Sequence, residues 1–205
     1  VTTPHQHQPQ RPDIAQTLIQ HAKAASENRR AARSTAAAQQ GPAGADAALL
    51  TDQANTQVLA RIVAAHGWPG RSLVGEEAAR AALTLALHAD HDLRDQNGFL
   101  RAVHEAAQQR EASAGQWARL YDRCLARDGK LQVYGTQHRR RSDGELELYP
   151  VQDHDQLDVR RAQVGLLPHA EQFRLLRERL AGGSGSLPVP VTDHDEDLAL
   201  AGSNP

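Results

Sequence analysis

Methionine is absent from the 205 residues, and cysteine occurs once, as Cys124. A single thiol excludes an internal disulfide, so nothing in the chain asks for an oxidising compartment. Long apolar runs are missing too. The longest, residues 81–87, is interrupted by Thr84 and is far too short to cross a bilayer, and the first residues carry no apolar signal segment. Neither sign of charge dominates: 23 Lys+Arg stand against 25 Asp+Glu for a net charge of -2, which argues against a protein that works by neutralising nucleic-acid phosphates. There is also no G-x-S-x-G, no phosphate-binding glycine loop, no H-E-x-x-H and no zinc-finger cysteine pairing. The expectation is a cytoplasmic protein with neither a membrane nor a nucleic acid as partner and with no cofactor named by motif. The leading Val, with no Met after it, fits an alternative start codon.

The chain is long enough to bury a core, and length alone favours one domain with tails. Residues 1–12 and 181–205, rich in Pro, Gly, Gln and Ser, read as disordered tails. Residues 13–44 read as an N-terminal helix with a weak apolar face (Ile14, Leu18, Ile19) followed by a Gly/Pro linker, and residues 45–180 as the core domain. Within that core a helix is expected over 45–66, stopped by Gly67 and Pro69. A second, capped by Ser72, is apolar nearly all round and therefore the central one. Two more are expected over 92–109 and 113–127, then shorter ones over 157–164 and 168–180. Between 130 and 149 the period changes from 3.6 to 2. Residues 130–137 and 145–149 read as the strands of a β-hairpin, with the Arg139-Arg140-Arg141 run and Asp143-Gly144 in its loop. The fold class expected is mainly α (α+β), with five or six packed helices and one β-hairpin.

Several polar residues fall where apolar ones belong. At 100° per residue, Asp52, Asn55, Thr56 and His66 lie within about 60° of the Leu59/Val63 direction. Polar groups on a core stripe need partners, since burying one unpaired costs about 1 to 3 kcal/mol. The apolar helix delivers His88, Asp90, His91 and Asp92 to its C-terminal end. Imidazole and carboxylate are ligands for zinc or iron, but the spacing lacks a second ligand set, and Asp90 or Asp92 as a helix cap explains the cluster equally. His88 alone suits a general acid or base near neutral pH, or a capping role. Arg123 could hold an anion by a bidentate fork, or pair with Asp52 or Asp158. Gln132, Tyr134 and Thr136 share one strand face, and Gly135 permits a close approach. Cys124 reads as core.

Taken in order, Asn55-Thr56, His66-Gly67-Trp68-Pro69, Val74-Gly75, His88-Ala89-Asp90, Asp122-Arg123, Gln132-Val133-Tyr134-Gly135-Thr136-Gln137, Pro150-Val151, Arg160-Arg161 and Gly165-Leu166 resemble the motifs of an uncharacterised bacterial family, a domain of unknown function. The resemblance spans roughly residues 50–175 and implies a domain boundary rather than a reaction. Three functional readings stand side by side. In the first, a small-molecule enzyme, a hydrolase or lyase, uses His88 and Tyr134 as catalytic groups. Asn55, Arg123, Thr136 and Gln137 then bind a small anionic or polar substrate, and no metal is needed. In the second, a non-catalytic binding or interaction protein uses the same residues as a structural network. In the third, a metal-dependent hydrolase is built on the cluster from His88 to Asp92.

Overall fold

The computed structural model describes residues 8–38, 43–140 and 145–182. They form a mainly helical protein: seven α-helices, α1 (Pro12–Ala38), α2 (Ala43–His66), α3 (Arg71–Leu87), α4 (Leu93–Gln108), α5 (Ala114–Arg127), α6 (Leu157–Gln163) and α7 (His169–Gly182), with a 3-10 turn at His154–Gln156. One two-stranded antiparallel hairpin pairs β1 (His138–Arg140) with β2 (Leu146–Leu148). The tails expected at 1–12 and 181–205 lie mostly outside the described residues, as does the Ser142-Asp143-Gly144 turn. The chain divides between Ala112 and Ser113 into two compact units, and the single core expected over 45–180 straddles that division.

In the first unit α1 packs on α3 and α2, while α2 and α3 also meet α4. The α3 helix is the centre: every residue from Ala81 to Leu87 is buried, as its nearly unbroken apolar run dictates. Alanines at 78, 79, 82 and 86 present little bulk, which lets neighbouring helices approach closely, and Leu18, Leu59, Leu83 and Leu87 fill the space between. Burying one such leucine stabilises the fold by about 2 kcal/mol. Leu49 and Leu50, near the start of α2, are exposed.

The start of α3 differs from its expected form. Its N-cap is Gly70, without a side-chain bond, rather than Ser72. The cap comes from a distant residue: the Glu111 carboxylate accepts the Ser72 amide (2.9 Å) and the Ser72 hydroxyl (2.7 Å). Gly70 is a glycine because a Cβ there would sit 2.6 Å from the Glu111 side chain. Gly75, at φ 82°, then kinks the helix, and the chain at Gln10 and Arg11 bonds the carbonyls of Ser72 and Leu73 beside it.

In the second unit α5 starts with a capping box. The Ser113 hydroxyl accepts the Gln116 amide, and the Gln116 side chain accepts the Ser113 amide. Gly129, at φ 68°, turns the chain out of the helix. The hairpin corrects the expected strands. Residues 130–137 are no ladder strand; only Gln132 makes an isolated bridge, to Val151, and β1 begins at His138. The physical reason is twofold. Gly135 sits at φ 60°, which breaks the pleat, and the amides of Val133, Tyr134 and Thr136 are taken by a side chain of α5 rather than by a neighbouring strand. Two of the three basic residues expected in the loop, Arg139 and Arg140, are strand residues.

Candidate functional site

The chemistry-bearing groups of the second unit converge on the segment 132–138. Asp122, buried in mid-α5, accepts four donors: the amides of Val133 (2.8 Å), Tyr134 (3.1 Å) and Thr136 (3.0 Å), and the Thr136 hydroxyl (3.0 Å). Burial pushes its carboxyl above the ordinary range, and the four donors pull it back toward the ionised form. The opposite polarity of the segment is held by Arg161, which is fully buried. Its guanidinium donates to the carbonyls of Tyr134 (2.7 Å), Gly135 (3.3 Å) and Leu167 (2.7 Å) and to the Gln172 side chain. Arg160, its neighbour on α6, donates to the carbonyls of Val133 (2.7 Å), Gln152 and Asp153. Gln132 closes the loop from inside: its amide nitrogen donates to the carbonyls of Gln137 and Tyr149, and its oxygen accepts the Gln137 amide at 2.7 Å. The segment is therefore gripped by a carboxylate on its N–H side and by guanidinium groups on its carbonyl side, each charge spent on several backbone groups. That arrangement is how a buried ion avoids an uncompensated desolvation cost.

Two features border this clamp. The Trp117 ring stacks on Tyr121 (centroids 5.2 Å, planes 15° apart) and meets Tyr134 edge-on (5.9 Å, 70°), and all three are half-buried. Burial raises the Tyr134 phenol above its ordinary pKa, as do the nearby Asp122 and Tyr121, with Arg160 acting the other way. On the far side of the loop, His138 Nε2 lies 3.4 Å from His169 Nε2, with the rings 10° from coplanar and their centroids 5.7 Å apart. Those values place the rings edge to edge, so one proton can sit between the two nitrogens and a second cannot. Phe173 lies against both rings. Burial holds His169 below the ordinary histidine range, with Arg161 and His154 adding to the effect and Asp158 opposing it.

A family model described as a family of unknown function (DUF6624) matches residues 12–182, the span from the first residue of α1 to the last of α7. The chain belongs to this family. No curated protein and no solved structure matches it.

The six residues singled out in this DUF6624 chain fall in both units. Asn55 and His88 lie in the first; Arg123, Tyr134, Thr136 and Gln137 lie in the second. Asn55 is buried on α2 and its side-chain oxygen pairs with His21 Nδ1 of α1 at 2.8 Å. Asp52 pairs with Arg29 of α1 at 2.9 Å, and the Thr56 hydroxyl bonds back to the Asp52 carbonyl. Asp52 and Asn55 of the α2 stripe are thus met by α1 and Thr56 by its own helix, while the exposed His66 lies 3.3 Å from Arg11. His88 is the half-buried C-cap of α3. Asp90 accepts the Gln96 side chain (2.8 Å), Asp92 caps α4 by accepting the Asp95 amide, and His91 is exposed. Among the described residues no group of three or more His, Cys, Asp or Glu is placed to hold a metal.

In the second unit, Tyr134, Thr136 and Gln137 do come together, in the clamped segment. Arg123 and Cys124 are buried on α5 beside Asp122. The residues that do the gripping, Asp122, Gln132, Arg160 and Arg161, stood in the sequence motifs but were not among the expected site residues. Their signal was faint but present, an acidic residue in mid-helix off an aromatic face and an Arg-Arg pair in a seven-residue helix.

Proposed function

We propose that this chain is a non-catalytic binding protein, in which the buried polar residues fix the segment 132–138 and the half-buried aromatic cluster beside it meets a small molecule. One observation carries the reading. Thr136 spends both its amide and its hydroxyl on Asp122, and the backbone of Tyr134 is spent on Asp122 and Arg161, so the polar groups that fix this segment are engaged with one another. In the first unit the Asn55 side-chain oxygen is likewise engaged, by His21, while its Nδ2 has no partner among the described residues. A cytoplasmic, bacterial setting is part of the proposal, supported by the single buried thiol and by composition.

Thermal melting of Thr136→Val and His88→Ala tests it. Both variants should melt below the parent chain, the first by the equivalent of about 1 kcal/mol for its lost buried hydrogen bond. Unchanged melting of both would return the residues to a catalytic role.

A second reading, an enzyme using Tyr134 as a proton donor, is favoured by the Tyr134 phenol. It has no hydrogen-bond partner among the described residues, and burial raises it above the ordinary phenol range.

A further inference from the structure

The chain has seven aromatic residues in 205, and three of them share one half-buried cluster, Trp117, Tyr121 and Tyr134. Phe99, by contrast, is buried in the first unit, as a core aromatic is. Tyr134 is also held by the clamp on both sides of its backbone. Its amide faces both oxygens of Asp122 (3.1 and 3.2 Å), its carbonyl takes Arg161, and the carbonyl before it takes Arg160. A ring mounted on backbone fixed in this way loses little freedom when a ligand stacks on it.

The polar rim of the cluster is made of donors. The hydroxyls of Tyr121 and Tyr134 and the Nη1 of Arg160 have no hydrogen-bond partner among the described residues, while the other nitrogens of Arg160 are committed to carbonyls. Asp122, the carboxylate that acts on the Tyr134 phenol, is buried and its oxygens are filled by four donors. A guanidinium and two phenols beside an aromatic ledge complement a ring that carries an oxyanion.

We propose that the Trp117–Tyr121–Tyr134 cluster is a binding site for a planar anionic small molecule, its ring on the aromatic residues and its carboxylate or phosphate held by Arg160 and the Tyr134 hydroxyl. The assignment rests on the binding-protein reading above and adds the ligand class. It moves the anion anchor expected at Arg123 to Arg160, whose charge acts on the Tyr134 phenol and which is half-buried, whereas Arg123 is buried.

Amide chemical-shift mapping of the full chain with three probes tests it: 2-naphthoate, the neutral 2-naphthalenemethanol, and cyclohexanecarboxylate. The expected result is saturable shifts at Trp117, Tyr134 and Gly135 with 2-naphthoate, and binding at least about tenfold weaker for each of the other two. Tyr134→Ala, which leaves the backbone grip untouched, and Arg160→Lys should each weaken 2-naphthoate by about tenfold. Equal binding of the neutral alcohol would overturn the anion anchor, and equal binding of the saturated acid would overturn the planar ring; either leaves the aromatic surface standing as a binding face. Absence of any shift at Trp117 and Tyr134 with all three would overturn the site, while the melting of Thr136→Val and His88→Ala decides the binding-protein reading separately.

Discussion

The two units are stabilised by opposite means. Among the described residues of the first, twenty apolar side chains are buried against four polar ones; in the second, six apolar against eight polar or charged. The first unit is ordinary helix packing around an alanine-rich α3. In the second, a short irregular segment is held by buried ions and amides, and that arrangement gains little net stability while fixing one geometry. A region that spends charges on holding a loop still is the better place to look for recognition, which is why the proposed site lies there.

Breaking each unit by its own logic sharpens the contrast, starting with the largest effect. Arg161→Met keeps the volume but leaves the carbonyls of Tyr134, Gly135 and Leu167 and the Gln172 side chain without their donor. It should cost about 4 kcal/mol in denaturant titration and remove exchange protection from residues 132–138. Leu18→Ala, the equivalent blow to the apolar unit, should cost about 3 kcal/mol, read as lost amide protection in α1 and α3. Gly135→Ala should cost about 1 to 2 kcal/mol, because φ is 60° and the new Cβ would stand 3.3 Å from Leu157. A cost below a few tenths would show that the segment can shift, against the rigid clamp.

The smallest effect is the pH dependence at His169. Its folded pKa lies below the ordinary value of 6.5, so in the window beneath 6.5 the unfolded chain binds more protons than the folded one. Stability is therefore full above that window and falls as pH drops through it. His169→Phe, which keeps a ring against Phe173, should flatten the acid side of a melting-temperature profile. A parent chain with no slope between about pH 7 and 5 would contradict the burial of that imidazole.

Much of the helical frame was legible because it depends on local pattern. The α2 stop at Gly67, the Ser113 cap with Gln116 three residues on, and the apolar run of α3 each act within a turn or two of chain. The strand expectation over 130–137 failed for a nonlocal reason. Alternation in K-L-Q-V-Y-G-T-Q is real, but Asp122, eleven residues upstream of Val133, takes the amides a ladder would use. Ser72 lost its capping role in the same way, to Glu111. The site residues were half legible: Tyr134, Thr136 and Gln137 stood out as polar groups in an alternating run, while Asp122 and Arg161 stood only as members of short motifs, with nothing in the sequence to show which backbone groups they meet.

Sequence by itself determined the mainly helical class, the central place of α3 and the family to which the chain belongs, because periodicity and capping are short-range and survive any arrangement of the elements. Only the tertiary structure decided what the polar residues do. Whether a buried charge is a catalyst or a clamp depends on which backbone groups meet it, and for Asp122 and Arg161 those groups lie 6 to 27 residues away along the chain.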